Sequence, residues 1–160
     1  MLINAVEAEL LGDQPYHRLR LRLELQSFQD HPEVFVTADF ADSSMTPVME
    51  ACPSFLPFIP ASPEPVWYEI EIDLPPLVPG VYSVSPWIGS AYNVRYDKVP
   101  GAVQFEILVS PDPQRTFKHY SDHGYVVPFS RVVKSGRGIP MLTRDGEQEA
   151  VLDGHQPFAV

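Results

Sequence analysis

From Leu19 to Leu25 the chain reads LRLRLEL, with leucines at alternate positions and Arg20, Arg22 and Glu24 between them. A period of two is that of a strand with one buried and one wet face, whereas a helix would scatter these leucines around its axis. VWYEIEIDL repeats the pattern, with Val66, Tyr68, Ile70, Ile72 and Leu74 set against Trp67, Glu69, Glu71 and Asp73. VQFEILV does so with Val103, Phe105, Ile107 and Val109. Weaker alternation predicts strands over Ile3–Leu11, Val34–Phe40, Val81–Ile88, Tyr92–Tyr96 and Gly124–Val133. Eight or so short strands without an amphipathic helix predict an all-β fold, an antiparallel β-sandwich of immunoglobulin-like or jelly-roll-like form. Residues 1–133 are expected to form the sandwich. After Lys134 the composition changes to KSGRG and then a candidate Asp145-Gly146 hairpin turn, so 134–160 is expected to be an extra hairpin, a strand exchanged with a second chain, or a disordered tail.

The 18 prolines reinforce this picture, since they cluster between the expected strands (Pro53, Pro57, Pro60, Pro63, Pro65, then Pro75, Pro76, Pro79). Proline is barred from strand interiors and tolerated in loops and on edges. At 160 residues the chain suits one domain with a sizeable core. Its net charge of −10 repels phosphate backbones and anionic membranes, which argues against nucleic acid and direct membrane insertion. The single cysteine, Cys52, cannot form an internal bridge, and MLINAVEAEL lacks the basic start and long apolar run of a signal peptide, so a cytoplasmic location is expected.

The stretch LPPLVPGVYSVSPWIG, residues 74–89, raises the functional question. If Tyr82, Val84, Pro86 and Ile88 enter the core, Val81, Ser83, Ser85 and Trp87 share the outer face. Trp87 would then stand as a flat wall beside two small serines, with room above them for a sugar ring. Alternatively the register shifts at Pro86 and Trp87 plugs the end of the sandwich. The following AYNVRYDK supplies planar hydrogen-bonding groups. With Tyr92, Val94 and Tyr96 inward, Asn93, Arg95 and Asp97 would form an outer polar row. Aromatic platforms beside such groups on a rigid sheet are what carbohydrate binding asks for. The candidate carbohydrate-binding residues are therefore Trp87, Ser83, Ser85, Asn93, Arg95, Asp97, Tyr92 and Tyr96.

Three segments in order, LPPLVPGVYSVSPWIG, DKVPGAVQFEILV and DHGYVVPFSRVV, resemble the C-terminal polysaccharide-recognition domain of the ATP-binding subunit in O-antigen type ABC transporters. The matching positions are Leu74 to Ser85, Asp97 with Phe105-Glu106-Ile107, and Gly124 to Val127. The resemblance covers residues 1 to about 133. It implies a sandwich that binds exported glycan in the cytoplasm, serves lipopolysaccharide biosynthesis alongside an ATPase domain and a membrane subunit, and pairs as a homodimer. This chain has no P-loop, G-x-x-x-x-G-K-[ST], so ATP hydrolysis of that kind is not expected of it.

Enzymatic readings are weaker. His119, Asp122 and His123 offer three metal ligands within HYSDH, but a site would need a turn between them and a fourth donor such as His17 or His155. A polar loop is the plainer reading. There is no G-x-S-x-G elbow, and Cys52 reads as a semi-buried, inert thiol. Glu69 and Glu71 at i, i+2 on a strand share a wet face instead of opposing each other across a cleft. Arg20 and Arg22 are expected to meet carboxylates of neighbouring strands. The leading expectation is thus a non-catalytic protein without cofactors that recognises a bacterial surface polysaccharide. The alternatives are a sandwich that only dimerises or docks a protein, and a metal-dependent enzyme at His119, Asp122 and His123.

Overall fold

A computed structural model describes residues 1–31, 34–53, 59–90, 94–114, 118–131 and 133. The chain divides into two units, Met1–Pro128 and Phe129–Val160, and the strands found among the described residues all lie in the first. They are β1 (Leu2–Leu11), β2 (Arg18–Gln26), β3 (Val34–Asp42), β4 (Pro47–Ala51), β5 (Val66–Asp73), β6 (Gly80–Ser90), β7 (Arg95–Lys98) and β8 (Val103–Ile107). They form two antiparallel sheets, one in the order β1-β2-β5 and one in the order β4-β3-β6 with β7 and β8 both on the far side of β6. The protein is an all-β antiparallel sandwich.

The leucine alternation of β2 places its inner face. Leu19, Leu21 and Leu23 are fully buried, and each such side chain contributes about 1.5–3 kcal/mol relative to exposure. Opposite them the five-stranded sheet supplies Val34, Val36, Ala38 and Phe40 from β3 and Tyr82, Val84 and Ile88 from β6. Phe105 of β8 stacks on Tyr82 at 5.6 Å and meets Phe40 edge-on at 6.1 Å. Along β6 Tyr82, Val84 and Ile88 enter the core as expected, while Ser83, Ser85 and Gly89 of the other face are buried as well, and the register of β6 is unbroken through Pro86, which pairs with Ala38.

On the outer face of the three-stranded sheet Glu7, Arg22 and Glu69 lie in one cross-strand row and Glu9, Arg20 and Glu71 in the next. Arg20 reaches Glu71 at 2.9 Å and Glu9 at 3.2 Å, Arg22 reaches Glu7 at 3.1 Å, and Arg18 reaches Glu71 at 2.9 Å. The arginines therefore answer neighbouring carboxylates, as their position on the strand predicts. Arg22 also lies 5.6 Å above the Trp67 ring.

The segment after β5 is held by its own polar groups. The Tyr82 hydroxyl donates to the Val78 carbonyl at 2.7 Å, tying the turn before β6 to the strand it feeds. This gives the Pro-Gly-x-Tyr sequence a structural purpose like that of the tyrosine corner in other sandwiches. Residues 124–127 do not extend into the predicted strand over Gly124–Val133. They make an isolated bridge, Leu77 with Val126, and two flanking backbone bonds, from Val78 to Tyr125 and from Val127 to Pro76. Pro128 has no amide proton with which to continue a ladder. Two further expectations are corrected. β8 ends at Ile107, leaving Val109 63% exposed, and Cys52 is exposed, its sulfur accepting from the Thr37 hydroxyl at 3.7 Å. The tail over 134–160 lies outside the described residues.

Candidate functional site

Because Val84 and Ile88 face the core, the odd-numbered residues of β6 face away from it, and Trp87 belongs to the outer surface of the five-stranded sheet. Its cross-strand partners are Thr37 on β3 and Lys98 on β7. The next outward position on β6 is Gly89. A Cβ there would stand 2.5 Å from the indole Cζ3, so only glycine lets the ring extend along the strand over position 89. Phe35, opposite Gly89 on β3, meets the indole edge-on at 5.6 Å and 68°.

The other end of the indole is pinned. Its Nε1–H donates to Asp39 Oδ1 at 3.2 Å, and the second oxygen of that carboxylate accepts from the Lys98 ammonium at 2.6 Å. Trp87, Asp39 and Lys98 thus form one network spanning β6, β3 and β7. The indole N–H is engaged within the protein, which leaves the ring itself as the group available to a ligand.

Two shallow concavities adjoin this network. One, about 340 Å³, is lined by Phe35, Trp87, Ser90, Val94 and Arg95. The other, about 500 Å³, includes Asp39, Met45, Glu50, Ser85 and Lys98 in its lining. The Asp39–Lys98 pair lines the second while bonding the tryptophan that lines the first, so the two hollows lie side by side across the sheet. Such a face can hold an extended ligand by ring stacking and by hydrogen bonds to Asp39, Lys98 and Arg95.

The structure separates the predicted site residues. Trp87 and Arg95 share the first hollow and Ser85 borders the second. Ser83 is corrected: it is 4% exposed, with Oγ directed to the Ala41 carbonyl at 3.4 Å and to Met45 Sδ at 3.9 Å, so the β3–β4 turn covers the space expected above it. Ser85 is 7% exposed, and its Oγ accepts the Gly101 amide at 2.8 Å, which anchors the turn between β7 and β8.

Asp97 is corrected as well. A bulge after Ile88 sets Asp97 opposite that core residue and Arg95 opposite Gly89, with Tyr96 as the extra residue. The simple alternation of an outer Asn93–Arg95–Asp97 row is broken there. Asp97 instead turns to the other sheet, where Oδ2 accepts the Ile3 amide at 2.8 Å. Tyr96 packs against the core and against the His31 ring at 5.7 Å, as its predicted inward placement requires, and so offers no outer platform. Val94, expected inward, is 46% exposed and lines the hollow. Tyr92 and Asn93 lie outside the described residues. Sequence reasoning missed Phe35, Asp39 and Lys98. Asp39 carried a signal, being the one charged residue within VFVTADF.

The histidine cluster is dispersed. His119 Nε2 lies 2.7 Å from Ser110 Oγ, while Asp122 and His123 sit on the short 3-10 turn Ser121–His123, 3.9 Å from each other. His17 contacts the Leu11 carbonyl, and His155 lies outside the described residues. Among the described residues no three His, Cys, Asp or Glu converge as a metal site. No described helix is long and apolar enough to cross a membrane.

Comparison with known proteins adds little. No family model matches the chain and no curated protein is significantly similar to it. Among solved structures, a crystal structure described only as Northeast Structural Genomics Consortium target SoR45 is 14% identical, with a TM-score of 0.36 over 75% of this chain and 98% of that one, a likeness too slight to bear on function.

Proposed function

We propose that the chain is a non-catalytic carbohydrate-recognition sandwich that holds a bacterial surface polysaccharide on the outer face of its five-stranded sheet. The observation that carries this reading is the seating of Trp87. Gly89 leaves space for the indole along the strand, Asp39 engages its N–H, and the ring remains in an open hollow beside Phe35 and Arg95. Sugar rings present apolar C–H faces suited to an aromatic wall and hydroxyls suited to Asp39, Lys98 and Arg95. A shallow, open face suits an extended chain better than a small metabolite, which would be enclosed.

The finer reading, selection of O-antigen-like cargo for an ABC transporter whose ATPase domain and membrane subunit are the partners, in the cytoplasm and as a homodimer, rests on the sequence resemblance. Leu77, Tyr82, Phe105 and Val126 within the resembling segments build the turn, the core and the bridge of the sandwich. The resemblance therefore speaks through the scaffold, and the case for sugar rests on the Trp87 face.

Calorimetric titration of the protein with surface polysaccharide from its source organism tests the proposal, with Trp87→Ala and an unrelated polysaccharide as controls. Saturable heat that Trp87→Ala weakens at least tenfold is the expected result. A folded protein that gives no heat at millimolar glycan, and whose oligomeric mass changes on Trp87→Ala, would replace it with the protein-docking reading.

A further inference from the structure

Cations lie near the Trp87 face and across the sandwich from it, and they differ in how they are answered. Arg20 and Arg22 of β2 are matched to carboxylates on both flanking strands, and Lys98 is matched to Asp39 at 2.6 Å. Arg95 is exposed, lines the same hollow as Trp87, Phe35 and Val94, and makes no ion pair among the described residues. The bulge after Ile88 puts it there, since it sets Arg95 opposite Gly89, beneath the far end of the indole.

We infer that the Trp87 hollow takes a sugar unit bearing one anionic substituent, a carboxylate or a phosphate, with Arg95 as its counter-ion. This rests on the carbohydrate reading of the face and deepens it. A guanidinium beside an aromatic wall presents a planar donor fork to a carboxylate or phosphate attached to a ring that stacks on the indole. The chain's net charge of −10 sets the limit on how acidic the ligand can be. It opposes a densely charged polyanion, whereas an anion spaced along a mostly neutral glycan meets one unanswered arginine and little further repulsion.

The test uses three sets of oligosaccharides on one printed array, followed by titration of the strongest binders in each: neutral chains, the same chains ending in glucuronate, and the same chains ending in mannose 6-phosphate. The expected outcome is preferred binding of one or both acidic sets, a loss of about tenfold on Arg95→Gln confined to those sets, partial recovery with Arg95→Lys, and weakening in 500 mM salt by roughly threefold or more. The glucuronate and phosphate arms tell which anion the site takes. Equal binding of neutral chains, lost in Trp87→Ala and unaffected by Arg95→Gln, would overturn this inference and leave the carbohydrate reading standing. No binding in any set would overturn both. Arg95 is exposed, so its replacement does not threaten the fold, and unchanged thermal unfolding of Arg95→Gln checks this directly.

Discussion

Gly89 and Trp87 are matched to one another: a β-carbon at position 89 would collide with the indole at 2.5 Å, and the ring of residue 87 occupies the volume that the glycine leaves empty. Gly89→Ala is therefore expected to rotate the indole away from the sheet. The stability cost is about 1–3 kcal/mol, typical of overpacking, and it is read from the denaturant midpoint. Tryptophan emission should shift in the Trp67→Phe background, which leaves Trp87 as the reporter. Glycan binding should weaken in parallel, because the wall of the hollow moves.

Tyr82 offers a test at alkaline pH. Burial, with a smaller contribution from the nearby Tyr125 and Asp42, pushes its hydroxyl up to about 12 from the ordinary 10.0. A group whose folded value is raised gives its full stabilisation below its unfolded value and withdraws it as pH rises through the folded one. Stability is expected to fall between pH 10 and 12. Tyr82→Phe leaves the Val78 carbonyl without its donor and should cost about 1–3 kcal/mol at neutral pH, while flattening that alkaline decline. Urea titrations at a series of pH values measure both effects.

At acid pH the carboxylates decide. The Tyr125 hydroxyl, followed by the Thr46 and Ser44 amides, holds Asp42 below the ordinary carboxylate range, and the hydrogen bond from Arg20, followed by the charge of Arg18, does the same for Glu71. Depressed folded values stabilise above the unfolded value and lose that contribution as pH falls through the folded one. The thermal midpoint should thus drop as pH falls below about 4.5, and by less in Asp42→Asn and Glu71→Gln, which are already less stable at pH 7. For Glu71→Gln the neutral-pH deficit should shrink in high salt, since the ladder is exposed.

Ser85 is expected to matter for the turn over residues 99–102 and to leave stacking intact. Ser85→Ala removes the acceptor of the Gly101 amide, so hydrogen exchange at Gly101 should accelerate with a stability loss of about 1 kcal/mol, while the affinity for a stacking sugar changes little. A large loss of affinity would instead place the serine hydroxyl on the ligand.

The strands of this protein were legible wherever alternation ran for several residues, as in β2, β5 and β6, because one side of each faces a continuous core. β4, five residues reading PVMEA, carries no such rhythm and exists through its pairing with β3. The outward direction of Trp87 could be read from Tyr82, Val84 and Ile88. What surrounds it could not, because Phe35 and Asp39 arrive from a strand some fifty positions earlier in the chain. The misplacement of Asp97 had a local cause. A single-residue bulge is invisible in hydropathy, yet it reverses which side of the sheet the following residues face.

That same bulge has a mechanical consequence. Asp97 receives the Ile3 amide from the opposite sheet, and its neighbour Lys98 holds the carboxylate that steadies the indole. Load applied at the start of β1 thus reaches the tryptophan through two carboxylates, one peptide link and one ammonium. The seam where the two sheets meet doubles as a strut, and the posture of the ring is set partly by how the first strand is anchored.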